Sequence, residues 1–445
     1  YYSDHDALNR ELARQNPRDV DAYERFSQAV MRQCRFIRPF LLRTAPDPTS
    51  LKPRDLSELL NLVKKANDLG ARELGETQRF WTMSIADFLD EHFESDLVKA
   101  HIAGGGIIGT GLGVYSPGTA YVLLHHYMGD VDGTIGAWGF ARGGMGSITQ
   151  ALAASFESSG GTIVTGSGID QFLTKGGQVT GVALENGDVY HASVVASNMD
   201  VRRTFINHTA ESDLPSEFVT AVKRFKTRGS SGKINVSLDR FPTFPAAPEG
   251  ARFLSGDMHC STSLQELEKA YDDWKVGRWS QEPYFDMLIP TQIDPTMAPP
   301  GKHMMTVFVQ YAPYDLEVDG VRSPDNWNET QRQAFATCVF DKMEQACPGI
   351  RDHILHAEVR SPYELEQEVG LTEGNIFQGE LTFDQLLFNR PVPGYAQYRT
   401  PIGGMYLVGS STHPGGGVMG APGANAAREI LRDVGKGQAM PVYTD

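Results

Sequence analysis

Met405-Tyr-Leu-Val-Gly-Ser-Ser-Thr-His-Pro-Gly-Gly-Gly-Val-Met-Gly-Ala-Pro-Gly-Ala-Asn-Ala-Ala-Arg-Glu-Ile-Leu431 is the stretch that decides the fold. Its first residues, up to Val408, form a short apolar run that reads as a buried strand. Five glycines then fall between Gly409 and Gly420, around Ser410-Ser-Thr, and Ala424–Leu431 reads as a helix. Glycine lets a backbone come close to a ligand because it carries no Cβ. A helix N-terminus adds N–H groups and the positive end of the helix dipole. Strand, glycine-rich turn and helix in that order are what an anionic or aromatic ligand needs.

The pattern GxGxxG occurs twice, and context separates the two. Gly415-Gly-Gly-Val-Met-Gly420 follows the strand and precedes the helix. Gly104-Gly-Gly-Ile-Ile-Gly109 follows the helical run Asp96-Leu-Val-Lys-Ala-His-Ile and leads into Gly113-Val-Tyr-Ser-Pro-Gly, which is no helix. No strand with an acidic end follows it at dinucleotide-site spacing. The first match is therefore expected to be a flexible glycine-rich turn. Too few residues follow Gly420 for a further βαβ unit, so Met405–Leu431 reads as the last part of a nucleotide domain.

Upstream, residues 5–100 read as helical, with Leu8 and Leu12, then Tyr23, Phe26 and Val30, at helical spacing. Asp55 stands as a capping acid before Leu59-Leu60. Ser147–Ser159 is expected to be a helix stopped by Gly160-Gly161. Strands are expected at Thr162–Thr165, Ile169–Leu173, Val179–Leu184 and Val189–Ala196, with hairpin turns at Lys175-Gly-Gly and Glu185-Asn-Gly-Asp. Residues 230–395 mix strands (Lys233–Leu238, Met304–Tyr311) with helices (Leu264–Lys275, Asn328–Ala346), separated by proline-rich loops such as Phe241–Pro248. A helix ending in double glycine, then a strand, then a meander, is the order of a doubly wound domain with an inserted antiparallel hairpin.

Composition narrows the function classes. The net charge is −15, which disfavours nucleic acid and gives no help at an anionic membrane surface. No apolar run is long enough to span a membrane. Cys34, Cys260, Cys338 and Cys347 lie far apart and form no CxxC pair, so they read as free thiols. His125-His126 is the one adjacent histidine pair and lacks further ligands at metal-binding spacing, so no metal is expected. His413 has two readings: contact with a cofactor, or shaping of the loop before Pro414. The chain starts Tyr-Tyr-Ser-Asp without a Met and reads as processed or truncated.

Several stretches together resemble a known family. Gly143-Gly-Met-Gly-Ser-Ile-Thr-Gln-Ala-Leu, Gly161-Thr-Ile-Val and Val194-Val-Ala-Ser-Asn are similar to the central cofactor segment of the flavin amine oxidase and phytoene desaturase superfamily. Leu407–Ala421 is similar to its C-terminal flavin segment. Tyr121-Val-Leu-Leu-His-His, Gly136-Ala-Trp-Gly, Lys233-Ile-Asn-Val, Asp294-Pro-Thr-Met-Ala-Pro-Pro-Gly, Gly374-Asn-Ile-Phe and Asp384-Gln-Leu narrow the resemblance. They resemble the phytoene-desaturase-related family named pyridine nucleotide-disulphide oxidoreductase domain-containing protein 2.

The resemblance implies an α/β fold. A discontinuous Rossmann-like FAD domain would lack its first βαβ, and an α+β substrate domain would stand beside it. Residues 1–139 would be a mainly helical part of the substrate domain and 140–229 the central FAD segment. Residues 230–395 would complete the substrate domain, and 396–445 would be the C-terminal FAD segment. In the family an N-terminal GxGxxG and its partner acid hold the diphosphate and ribose; this chain departs from the pattern because both would lie ahead of Tyr1.

By position, the Ile169 strand would meet the adenine, and Gly409 and Ser410 would lie near the pyrophosphate. Gly416, Gly417, Val418, Met419, Gly420 and Ala421 would border the ribityl chain and isoalloxazine. His125, Trp138 and Gly144 would lie towards the substrate, and His125, Trp138 and His413 are the candidates for a catalytic role. The implied function is an FAD-dependent dehydrogenase or desaturase passing hydride from an apolar or amine-type small molecule to flavin N5. The alternative is a catalytically weak or inactive flavoprotein-fold binding or assembly protein. The expected setting is cytoplasmic, or the mitochondrial matrix in a eukaryote, with a possible homo-oligomer.

Overall fold

A computed structural model describes residues 4–131, 133–247 and 255–435. The end of the expected loop Phe241–Pro248 and the last ten residues of the expected segment 396–445 lie outside the described residues. In chain order the elements begin with helices α1 (His5–Gln15), α2 (Arg18–Leu41), α3 (Pro53–Thr82), α4 (Ile85–Asp90), α5 (Asp96–Gly104) and α6 (Thr119–Tyr127). A small hairpin, β1 (Asp130–Val131) and β2 (Thr134–Ile135), precedes α7 (Gly146–Ser158). Strands β3 (Ile169–Lys175), β4 (Gln178–Leu184), β5 (Val189–His191) and β6 (Val195–Ser197) lead to α8 (Ser216–Arg224). Next come β7 (Ser231–Leu238), β8 (Met258–His259), α9 (Leu264–Lys275), β9 (Tyr284–Leu288) and β10 (His303–Gln310). The hairpin β11 (Leu316–Val318) and β12 (Val321–Ser323), α10 (Glu329–Ala346), β13 (Ile354–Arg360), α11 (Pro362–Val369), β14 (Met405–Leu407) and α12 (Ala421–Gly435) complete the chain.

The contacts divide the chain into two compact units, each assembled from three pieces. The first holds residues 4–31, 80–163 and 229–368, and the second 32–79, 164–228 and 369–435. These units cut the chain at other places than the segments read from the sequence: 32–79 groups with the strand–glycine–helix segment, and 140–163 with the larger sheet.

The first unit is built on the sheet β13-β7-β10-β9-β8, antiparallel throughout. Alternation drives it. Ile234, Val236 and Leu238 of β7 and Met305, Val307 and Val309 of β10 point to one face, where Phe335, Val339 and Met343 of α10 cover them. Asn328 caps α10, its side chain accepting from the Gln331 N–H at 3.1 Å. The glycines of Gly104–Gly109 are not a flexible turn. They end α5 in a largely buried, close-packed bend, where a Cβ on Gly104, Gly105 or Gly106 would stand within 3 Å of Tyr284, Leu123 or Ile85.

The second unit carries two parallel strands, β6 and β14, in the register Met405↔Val195, Tyr406↔Ala196 and Leu407↔Ser197. Beside them runs the meander β3-β4-β5. Gly176 and Gly177 close the β3–β4 hairpin with φ of 59° and 74°, as a two-residue turn requires. Phe172, Val179, Val201, Phe218, Met405 and Leu407 share one core.

Three local expectations are corrected. Thr162–Thr165 pairs with no strand among the described residues and is exposed, because β-branched residues need a neighbouring ladder to become sheet. Val189–Ala196 breaks into β5 and β6, the first antiparallel to β4 and the second parallel to β14. Asp55 does not cap α3, which starts at Pro53; Asp55 is buried and accepts from Gln397 Nε2 at 2.8 Å.

Candidate functional site

The loop between β14 and α12 is held by residues with no local signature. Gly409 passes so close to β6 that a Cβ would lie 2.3 Å from the Asn198 carbonyl oxygen. The Val408 N–H donates to the Ser197 carbonyl at 2.8 Å, extending the parallel pairing into the loop. Ser411 Oγ donates to the Gln378 carbonyl at 2.7 Å and accepts from the Val201 N–H at 3.0 Å.

Beneath the loop lies Arg390, fully buried. Its guanidinium donates to the Ser410 carbonyl at 2.7 and 3.0 Å. It also donates to the carbonyls of Phe377 (3.0 Å), Gly379 (3.2 Å), Glu380 (3.0 Å) and Gln385 (3.3 Å). A buried cation is tolerated when dipoles replace its lost hydration, and here main-chain carbonyls do so.

From Gly417 onward the loop turns outward. Gly417, Val418 and Gly420 are exposed and Met419 is half-buried. Gly417 and Gly420 have φ of 125° and 63°, open to glycine and strained for other residues. Val418 also has positive φ, 38°, with its side chain 81% exposed. Buried Ala421 then opens α12; Pro422 has no N–H and the Ala424 N–H donates to the Gly420 carbonyl at 3.0 Å, so Ala421 and Gly423 carry the first-turn N–H groups that lack an intrahelical acceptor.

The far end of α12 is anchored by charge. Glu429 is fully buried and accepts from Arg54 (2.8 and 2.5 Å), Thr44 (2.7 Å), Arg399 (3.1 Å) and Arg432 (2.7 Å). Burial alone would raise this carboxyl, but the bonds from Arg54 and Thr44 and the charges of Arg54 and Arg399 outweigh it and hold it at about 2. Arg399 also binds Asp433 twice at 2.8 Å, and Tyr406 of β14 donates to Asp433 at 2.9 Å.

His413 is buried behind the loop. Its Nε2 lies 3.1 Å from the Phe40 carbonyl, and its own carbonyl accepts from Tyr398 at 2.8 Å. Burial pushes the imidazole down to about 4, so it is neutral at pH 7. Its Nδ1 has no partner among the described residues. Ile169, at the start of β3, is half-buried opposite Leu184.

The other candidates stand in the first unit. His125 is half-buried near the end of α6. Trp138, 70% exposed, donates to the His126 carbonyl at 3.2 Å, its ring stacked on His126 at 6.1 Å. Gly144 has φ of 88°, and the preceding Gly143 N–H donates to Asp294 at 2.6 Å. Among the described residues no three His, Cys, Asp or Glu side chains gather as a metal site, and no helix is long and apolar enough to cross a membrane.

Residues 41–431 match the family described as flavin containing amine oxidoreductase. The chain belongs to that family. It is 37% identical over 443 residues to the pyridine nucleotide-disulfide oxidoreductase domain-containing protein 2 of Mus musculus, covering 96% of this chain and 75% of that protein. It is 25% identical over 447 residues to a lycopene-forming phytoene desaturase of a Paracoccus species, covering 97% and 78%. An oxidoreductase structure from Methanosarcina mazei shares the fold, with a TM-score of 0.52 at 17% identity, over 86% of this chain and 73% of that one. The chain is thus an α/β protein of a flavin oxidoreductase family, related to the phytoene desaturases. Arg390 and Gln378 carry no motif of their own; the signals near them were the family-like Gly374-Asn-Ile-Phe, which ends next to Gln378, and Asp384-Gln-Leu, whose Gln385 carbonyl accepts from Arg390.

Proposed function

We propose that this chain is an FAD-dependent dehydrogenase or desaturase acting on an apolar or amine-type small molecule. The observation that carries this reading is the loop 409–420: rigid where Arg390 holds it, open where it reaches the N-terminus of a 15-residue helix. Flavin held there would supply the electron acceptor for hydride leaving a substrate C–H bond, at its N5.

The donor set fits such a group. The exposed backbone of Gly417–Gly420 faces open space, where a Cβ on Gly420 would meet nothing within 4 Å, and the close packing of Gly409 against Asn198 fixes the loop behind it. The first turn of α12 offers N–H groups and a positive dipole end towards negative charge. Gly409 and Ser410 would border the pyrophosphate, Gly416 to Ala421 the ribityl chain and ring system, and the Ile169 strand the adenine. His413, neutral and tied to Phe40, fits a role in shaping the loop better than proton transfer. His125, Trp138 and Gly144 would stand on the substrate side.

The experiment uses the purified full chain. FAD is added, free flavin is removed, and the visible flavin absorbance that stays with the protein is measured. The sample is then made anaerobic and offered long-chain polyenes and primary amines in turn. Retained flavin that a member of either class bleaches supports the proposal. Chain that never holds FAD removes it. Flavin held but never bleached favours a binding or assembly protein on the same fold.

A further inference from the structure

Strand pairing between β6 and β14 reaches Ser197 and Leu407, and beyond it a side chain from a third segment joins the two chains. Gln378 Nε2 donates to the Asn198 carbonyl at 3.2 Å, one residue past β6. Its Oε1 accepts from the Ser411 N–H at 3.3 Å. A primary amide offers the same donor and acceptor as a peptide group, so it can stand in for a ladder partner. The main-chain carbonyl of Gln378 also accepts from Ser411 Oγ at 2.7 Å.

The turn that carries Gln378 is fixed in its own right. Asn375 is buried, and its Oδ1 accepts from the N–H groups of Phe377 and Gly379, both at 3.0 Å. Its Nδ2 donates to the Arg228 carbonyl at 3.0 Å. Gln378 itself has φ of 53°, in the left-handed region that disfavours a residue with a Cβ. Such a backbone persists where its surroundings over-determine it.

These contacts converge on one peptide group. Arg390 holds the Ser410 carbonyl at 2.7 and 3.0 Å, and Gln378 holds the Ser411 N–H. The two polar ends of a planar peptide are thereby gripped together, which fixes its orientation. The neighbouring donors are also engaged: the Val408 N–H with the Ser197 carbonyl, and the Thr412 N–H with the Gly409 carbonyl at 3.1 Å. The N–H groups of Gly409 and Ser410 and the Ser410 hydroxyl, all on half-buried residues, donate to no acceptor among the described residues. Adjacent main-chain N–H groups with a hydroxyl beside them are donors that an anionic oxygen accepts from.

We propose that Gln378 is a positioning residue for the cofactor's diphosphate. It touches no cofactor atom itself. Together with Arg390 it locks the Ser410–Ser411 peptide, so that Gly409 N–H, Ser410 N–H and Ser410 Oγ present themselves to the diphosphate oxygens. This role rests on the FAD reading given above.

The test compares the full chain with Gln378→Met, which keeps the length and loses both side-chain bonds, and with Gln378→Asn. Asparagine tolerates the left-handed backbone well but is one methylene too short to reach both partners. Each protein is titrated with FAD, and the phosphorus resonances and visible absorbance of the bound FAD are recorded. Gln378→Met should raise the Kd about tenfold, and Gln378→Asn about threefold. In both the phosphorus lines should move while the flavin absorbance maxima stay, because the change is felt at the diphosphate and not at the ring. Circular dichroism of the FAD-free chains checks folding, and should Gln378→Met unfold, Gln378→Asn decides. Wild-type Kd and phosphorus lines in a folded variant overturn the role while leaving the FAD reading intact. Shifted absorbance maxima with unmoved phosphorus lines overturn it as well, by placing the effect at the ring. A wild-type chain that holds no FAD removes the FAD reading and this role with it.

Discussion

Gly104–Gly109 and Gly415–Gly420 share one sequence pattern and answer to opposite physical demands. In the first, glycine is required for what it lacks. A Cβ on Gly104 would stand 1.9 Å from Tyr284 Oη, and one on Gly105 or Gly106 would stand 2.9 Å from Leu123 or Ile85. Gln310 fixes the bend, accepting from the Gly109 N–H at 2.8 Å and donating to the Ile107 and Thr110 carbonyls. In the second, glycine is required for what its backbone can do: a Cβ on Gly420 would meet nothing within 4 Å, but its φ is 63°. The first segment is packing; the second is packed at Gly415 and Gly416, where a Cβ on Gly416 would stand 3.0 Å from Phe377, and presents a surface only from Gly417 on. The pattern alone does not distinguish them; the elements on either side do.

The largest expected effect breaks the support of the presented loop. Arg390→Met keeps much of the side-chain volume but leaves five main-chain carbonyls without their buried donor. Each buried acceptor left unpaired costs about 1–3 kcal/mol, so with several affected together the loss should reach about 3–5 kcal/mol. Denaturant unfolding should show a loss of that size, and flavin retention should fall with it. A loss below about 1 kcal/mol would mean that the loop holds its shape without the guanidinium.

Next in size is a pH effect at the other end of α12. Glu429 is held at about 2, below the 4.5 of a free glutamate. Its stabilisation is therefore complete above the unfolded value and is lost as pH falls from about 5 towards 2. The shift corresponds to about 3 kcal/mol. Wild-type stability measured across that window should drop accordingly. Glu429→Gln should start lower at pH 7, with Arg54 without its carboxylate and Arg399 paired to Asp433 alone, and should fall less steeply on acidification.

Local features were legible in the sequence and distant ones were not. Leu264–Lys275 was readable as a helix because its period lies within it; the structure adds a local cap, Ser263 accepting from the Glu266 N–H at 3.3 Å. The alternation of Lys233–Leu238 was readable for the same reason. The parallel step from Val195 to Met405 was foreshadowed only by the order of elements. Arg390 was invisible because its partners lie between residues 377 and 410 and meet only in the fold. Thr162–Thr165 misled because strand composition cannot supply a strand partner.

The smallest effect is the sharpest probe of the comparison, because it sets one substitution in both segments. Gly104→Ala forces the methyl into Tyr284, whose ring is buried and whose hydroxyl donates to Asp286 at 2.8 Å, so neither can step aside freely. Overpacking of this kind costs about 1–3 kcal/mol. Gly420→Ala meets open space and bears only the left-handed backbone, about 1–2 kcal/mol and towards the low end for a single residue in a loop. Thermal unfolding with and without added FAD separates the two. A ligand that binds only the folded state raises Tm in proportion to its affinity. Gly104→Ala should lower the baseline Tm and keep the full FAD increment, whereas Gly420→Ala should keep most of the baseline and lose most of the increment. The reverse assignment would show that the packed bend, and not the exposed loop, is where the cofactor energy is felt.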